Sequence, residues 1–421
     1  MPRRTFVGFG FGPIQSALFL FEAYMSGNFS RFVVAEIDPE LVKSIRDNGG
    51  AYTVNIARKG WTDRVTVHNV EIYNPHVPAD RALLIDAIVH ADEMATALPS
   101  VSFYDRGGPG SVAAMLGEAL RSRRPSHPAV IYAAENHNRA AELLHEAILR
   151  YSPPAALDNI QCLNTVVGKM SGVIPDAQTI ADLKLACLTP GSTRSVLVEE
   201  FNRILISRIT LKDFRRGIEV FEEKDNLLPF EEAKLYGHNA IHALIGYLCD
   251  LRELRTMSQA ADHPDIMATA HAAFIDECGA ALIRKHGHLG DPLFTPAGFE
   301  AYAEDLLERM VRPNLHDLVA RVIRDHIRKL GWDDRLFGAM RLALAQGIRP
   351  VHMAKGAAAA VLSLARHSQA LPPALAGINL DPRHPSPDAV GRLLGAIWGD
   401  AADDQAHRLI DLTFEAMRAI L

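Results

Sequence analysis

The spacing of apolar residues changes once along this chain, a little beyond residue 212. Before that point, short apolar runs alternate with longer stretches of helical spacing. "TFVGFG" is short, apolar and β-prone. "PIQSALFLFEAYMSG" follows with helix length, opening on Pro13 at a first-turn position and stopping near Gly27. "RFVVAEID" reads as a second buried strand, "PELVKSIRDNGG" as a helix, and "RVTVHNVEIYN" as one alternating strand. "LLIDAIVHADEMATAL" and "PAVIYAAEN" carry further buried segments, with a helix near "GSVAAMLGEALRSR" between them. "TRSVLVEEFNRILIS" keeps strand character. Strands alternating with helices predict βαβ units and a mostly parallel sheet.

From about Leu227 the apolar residues recur at helical spacing almost to the end. "KLYGHNAIHALIGYLCDLREL", "DIMATAHAAFIDECGAALIRKHG", "TPAGFEAYAEDLLERMV", "NLHDLVARVIRDHIRKL" and "PVHMAKGAAAAVLSLARH" each predict a helix. The expected organisation is an α/β, Rossmann-like domain over residues 1–212 followed by an all-α domain over 213–421.

Composition narrows the class. The 421 residues suffice for two domains, and 44 basic against 50 acidic residues leave a net charge of -6. No basic stripe of the kind that wraps nucleic acid is implied. The mean hydropathy of +0.02 is that of a soluble globular protein. Cys162, Cys187, Cys249 and Cys278 lie far apart without a CxxC, so neither a disulfide framework nor a zinc ribbon is suggested, and a reducing cytoplasm is expected. Arg3 and Arg4 before an uncharged run resemble a twin-arginine export signal. Three glycines and Pro13 interrupt that run, however, and no clean small-x-small cleavage site follows. "GAAAAVLSLA" is too short to span a bilayer, so no membrane partner is expected. The expected assembly is a monomer or a small homo-oligomer.

The glycines suggest the first chemistry. Gly8, Gly10 and Gly12 sit at the strand-to-helix junction, where backbone N–H groups can approach a pyrophosphate. The full GxGxxG spacing fails, since the sixth position is Pro13 counting from Gly8 and Gln15 counting from Gly10. At the end of the second strand Glu36 is the candidate acceptor for the ribose hydroxyls, while Asp38 suits the cap of the next helix. An acid there repels a 2′-phosphate and favours NAD over NADP.

"KLYGHNAIHALIGYL" suggests the second. Lys234, Asn239 and His242 stand at i, i+5 and i+8, and at about 100° per residue they fall at roughly 0°, 140° and 80°, one polar arc of a helix. A lysine on a half-buried helix can act as a base, and a neighbouring carboxamide can hold a developing alkoxide. The same spacing also suits a plain solvated stripe. His238 and His242 stand at i, i+4, but Asn239 occupies the place of the glutamate that a zinc hydrolase motif requires, and no metal is expected.

K-x4-N-x2-H in a helix that opens a C-terminal domain resembles the signature of the polyol-specific long-chain dehydrogenase/reductase family, nearer its mannitol-1-phosphate 5-dehydrogenase branch. The glycine turn, "VVAEID", "IYAAENHNRA", "VVGKMSGVIP", "ECGAALIRKHG", "RVIRDHIRKLGWDDRL" and "MAKGAAAAV" extend the likeness over most of the chain. The resemblance implies an NAD-dependent, zinc-independent dehydrogenase of a secondary alcohol, with Lys234 as general base. It implies an oxyanion site of Asn239 and Asn136, a substrate contact at His242, and Glu231 as a proton relay. Basic residues of "RVIRDHIRKL" would bind substrate, either a polyol or its phosphate, with mannitol 1-phosphate favoured; Arg324 and Lys329 are the candidates, and spacing does not separate them from Arg321 or Arg328. The alternatives are a free-polyol or sugar-acid dehydrogenase of the same family, or a dinucleotide-binding sensor without turnover. Ser171-Gly172 stands where the family usually carries Asp-Arg, which leaves the substrate open. "FYDRGGPGS", around Asp105, has no counterpart in the family pattern; it is a cofactor-side loop or has no role.

Overall fold

The computed structural model describes residues 4–421 except 125, 202, 368–374, 376, 377, 379 and 380. Arg3 of the export reading lies outside the described residues. The chain forms two compact units that divide after Leu228.

The strands of the first unit are β1 (Thr5–Phe9), β2 (Arg31–Ala35), β3 (Tyr52–Ala57), β4 (Thr62–Val67), β5 (Val70–Tyr73) and β6 (Glu93–Thr96), then β7 (Ala129–Ala133), β8 (Ile160–Val166), β9 (Ser171–Ile174), β10 (Ser195–Glu199), β11 (Ile204–Ser207) and β12 (Phe221–Lys224). In the large sheet they run β5-β2-β1-β6-β7-β8-β11-β12. The first six are all parallel, in the 3-2-1-4-5-6 order of a dinucleotide-binding fold. β11 joins antiparallel to β8, and β12 pairs parallel with β11. This last strand keeps the chain in the first unit beyond residue 212.

A smaller sheet, β4-β3-β10-β9, was not legible in the pattern. "RVTVHNVEIYN" is two strands, because Asn69 takes a left-handed φ of 60° and sends β4 and β5 to different sheets. Asn55 ties the small sheet together, its Nδ2 donating to Ala186 O and Ser195 Oγ, both at 2.9 Å.

Helices cover both faces of the large sheet. On one side lie the first helix and Pro39–Asp47, with Phe19, Leu20, Val42 and Ile45 packed against Phe6 and Val34. On the other lie Pro78–Val89, Val112–Ser122 and Ala140–Leu149 against Val7, Phe9 and Ile131. Each fully buried phenylalanine of these layers stabilises the unit by about 1.5–3 kcal/mol.

The second unit is helical. The helix of the Lys-Asn-His motif runs from Leu228–Glu232 through a π-helical turn at Ala233–His238 into Asn239–Leu251. Glu277 accepts the N–H groups of His352 and Met353 at 2.7 and 2.8 Å and so caps the helix Val351–His367. Gly356 lets that helix approach Leu244 closely, since a Cβ there would meet Leu244 Cγ at 2.9 Å. "NLHDLVARVIRDHIRKL" is not one helix. His316 and Asp325 take φ values of 47° and 60°, leaving the short helices Val319–Val322 and His326–Lys329. Among the described residues Pro264–Leu289 alone is a helix long and apolar enough to cross a membrane, and 50% of its apolar window is buried inside the protein.

The three glycines of the opening turn differ. Gly8 lies inside β1, where a Cβ would overlap the buried Gln15 carboxamide. Gly12 has no heavy atom within 4 Å of its Cβ position. Gly8→Ala is therefore expected to cost about 1–3 kcal/mol by overpacking. Gly12→Ser, which supplies a good helix cap, should stay within about 0.5 kcal/mol of the parent. Urea unfolding of both variants checks the contrast.

Candidate active site

The first unit holds a cleft of about 610 Å³ at the C-terminal ends of its parallel strands. Gly10, Phe11, Gly12, Glu36, Ala97, Leu98 and Arg106 are among its lining residues. Gly10 takes a φ of 82°, which suits only glycine without strain, and its N–H donates to Ala35 O at 2.8 Å. Gly12 accepts the first helical bond, from Ser16 N–H at 2.9 Å, so the first helix opens onto the cleft. Gly8 is not on this wall; it is the contact between strand and helix.

Glu36 shapes the turn. Its Oε2 accepts the Phe11 N–H at 2.7 Å, and its Oε1 accepts the Ile37 and Asp38 N–H groups at 2.7 and 2.9 Å. A carboxylate offers about four acceptor sites, so one remains for a ligand hydroxyl. Asp38 caps its helix, accepting the Glu40 and Leu41 N–H groups, and pairs with Arg194 at 3.0 Å. The cleft thus offers an acceptor, open glycines and a helix N-terminus, a set that fits the ribose and phosphates of a nucleotide.

Glu135, the acid of "AAENHN", has a structural task that the motif did not reveal. Buried at the end of β7, it accepts from Thr96 Oγ1 at 2.9 Å, from Leu98 N–H at 2.8 Å and from the Tyr104 hydroxyl. Burial pushes its carboxyl above the ordinary value, against the pull of these three donors. Asn136, next along, is exposed in the loop that follows β7.

In the second unit the π-helical turn changes the expected angles. Asn239 N–H donates to Lys234 C=O, an i→i+5 bond. One wide turn therefore separates the two residues, and they stack on the same face instead of standing 140° apart. His242, three residues beyond Asn239, continues that face. Lys234 is half-buried as a residue, but its ammonium is enclosed by protein. Burial, then the Arg335 charge, lower its pKa to about 8, while Glu231 pulls the other way. Glu231 lies one turn before the lysine, at the end of the segment Leu228–Glu232.

His242 is held from the far side by Asp317, with Nε2 to Oδ2 at 3.0 Å, and Arg321 Nε donates to Asp317 Oδ1 at 2.8 Å. Burial would raise the Asp317 carboxyl, but His242 and Arg321 outweigh it and hold the group below its ordinary value of 3.8. Burial first, and then the neighbouring Arg309, Lys234 and Arg335 charges, push the His238 pKa far below normal and hold the ring neutral. The His238 and His242 rings stand 6.3 Å apart.

Lys329 is 5% exposed, and burial followed by Arg335 and Arg328 lowers it to about 8. Its short helix is fixed by His326 Nε2 on Ser363 Oγ at 2.9 Å and by Ser363 Oγ on Asp250 at 2.6 Å. One guanidinium, Arg335, thus acts on both Lys234 and Lys329. Arg324 is exposed, and its Nε donates to the Arg321 carbonyl at 3.3 Å. Sequence reasoning missed Asp317 and Arg335. Only the i,i+4 spacing of Asp317 and Arg321 was available as a signal.

Residues 226–370, which include this cluster, match the family model of the mannitol dehydrogenase C-terminal domain. The second unit is thus similar to that domain over most of its length. The chain is 28% identical over 338 residues to the mannitol-1-phosphate 5-dehydrogenase of Anoxybacillus flavithermus, covering 78% of this chain and 80% of that one. The Bacillus licheniformis protein of the same name is 29% identical over 336 residues, with the same coverage. Among solved structures, Pseudomonas fluorescens mannitol 2-dehydrogenase, a ternary complex with NAD and D-mannitol, shares the fold at a TM-score of 0.71 and 16% identity. That match covers 99% of this chain and 92% of the other. A substrate-free D-sorbitol dehydrogenase matches at 0.76 and 14%, covering 99% and 93%.

Asp317→Asn is expected to cost about 1–3 kcal/mol, because His242 and Arg321 lose their anion. The carboxyl ionises more readily folded than unfolded, so its contribution is present above about pH 4 and is lost as acid protonates it. Urea unfolding should show the gap between parent and variant at pH 7, narrowing toward pH 3.

Proposed function

We propose that this chain is an NAD-dependent dehydrogenase that interconverts a polyol phosphate, mannitol 1-phosphate in the favoured case, and its ketose phosphate. The observation that carries the reading is the stacking of Lys234, Asn239 and His242 on one helix face, with the lysine poised to lose its proton near neutral pH. The match of residues 226–370 to the mannitol dehydrogenase C-terminal domain and the names of the relatives favour the same chemistry.

In the oxidation direction the neutral Lys234 amine takes the proton of the substrate hydroxyl. Asn239 donates to the developing alkoxide, contributing about 3 kcal/mol at the transition state, and Asn136 is the second donor that the family resemblance implies. His242, steadied by Asp317, orients the hydroxyl, and Glu231 passes the lysine proton toward solvent. Gly10, Gly12 and Glu36 hold the dinucleotide, whose nicotinamide supplies the hydride acceptor when bound. Lys329 and Arg335 offer the cationic partners that a phosphate dianion requires. The chemistry needs no metal, because one base and two amide donors can carry the alkoxide.

Lys234→Ala should reduce turnover by 10³-fold or more, on the order expected for loss of the base together with its positioning, while NADH still binds by fluorescence titration. Retained turnover would remove the proposed base. In a panel of mannitol 1-phosphate, mannitol and sugar acids with NAD, the phosphate should give the highest kcat/KM. Activity on free mannitol alone would favour the free-polyol reading.

A further inference from the structure

"FYDRGGPGS" brings an arginine to the wall of the first unit's cleft. The Arg106 side chain is exposed, and its guanidinium carbon lies 3.3 Å from the Phe103 ring centroid. Arg106 has no carboxylate partner among the described residues. The adjacent acid is engaged elsewhere: Asp105 accepts from Tyr151 Oη at 2.8 Å, from Arg150 at 3.3 Å and from Gly107 N–H at 3.1 Å. Glu36, also on the wall, spends three of its acceptor sites on backbone N–H groups.

The loop is built to stay in place. Tyr104 bonds the buried Glu135, which also holds the ends of β6 and β7. Gly110 approaches Pro75 so closely that a Cβ would stand 2.9 Å from its carbonyl. The loop ends at Ser111, a cleft residue that caps the helix Val112–Ser122 by accepting the Ala114 N–H at 3.3 Å. Arg106, Ser111 and Gly12 are all on the wall of the one cleft, and the last two each cap a helix whose N-terminus favours an anion.

We propose that Arg106 is a phosphate-binding residue for the dinucleotide, held in position by stacking on Phe103 within a tethered loop. The proposal rests on the dinucleotide reading of this cleft. A guanidinium without an internal anion can form two parallel bonds to one phosphate, and stacking limits the entropy lost when it does.

The test is binding by the full chain. NADH is titrated by fluorescence, and ADP and adenosine compete against it, for the parent, Arg106→Ala, Arg106→Lys and Gly12→Val. Arg106→Ala should weaken NADH and ADP by about tenfold, leave adenosine unchanged and be partly rescued by Arg106→Lys. An equal loss for adenosine, which would assign the arginine to the base, overturns the proposal, as does unchanged ADP binding. Gly12→Val separates the two levels. If it weakens NADH and Arg106→Ala does not, the arginine proposal alone fails. If neither variant alters NADH binding, the dinucleotide reading of the cleft fails with it.

Discussion

The wide turn at Ala233–His238 is the constraint on which the proposed chemistry depends. A regular α-helix would set Lys234 and Asn239 about 140° apart, at the two edges of a polar arc. The i→i+5 bond from Asn239 N–H to Lys234 C=O brings them onto one face and leaves His242 in line. A π-helical turn packs less well than the α-helix around it and tends to persist where a site needs it. Here it sets one amine, one carboxamide and one imidazole on a single face.

The electrostatics build on that alignment. Burial alone would make Lys234 a weaker cation, and Arg335 adds repulsion. Lys329 feels the same guanidinium. Asp334, paired with Arg335 at 2.8 Å, offsets part of that repulsion. Asp317 supplies the counterweight by taking up His242 and Arg321. The first unit follows a similar plan with fewer charges. Glu36 and Glu135 spend most of their acceptor sites on fixing the turn and the strand ends, and Arg106 adds a cation to a cleft wall that also carries glycines and two helix termini.

Much of this was legible in the residues. Pro13, Gly27 and Pro39 marked helix ends, the alternation of strand and helix predicted the parallel sheet, and K-x4-N-x2-H picked out the helix. Other features depend on contacts that a linear pattern does not encode. The left-handed turn at Asn69 split one alternating run between two sheets, and His316 with Asp325 broke an apparent long helix. Gly8 looked like part of a phosphate turn until Gln15 was seen packed on it. Asp317 and Arg335 lie some eighty to a hundred residues beyond the motif they act on, so only folding brings them to it. The helical angles failed for a simpler reason, since they assume one repeat where the backbone adopts another.

The most direct measurement is the ionisation of Lys234 itself. Trace acylation of the protein across pH, with the modified peptide quantified by mass spectrometry, reports the fraction of free amine at that residue. The account predicts half-maximal labelling near pH 8, about 2 units below the surface lysines of the same chain. Labelling of Lys234 that tracks those surface lysines, with a midpoint above pH 10, would contradict it.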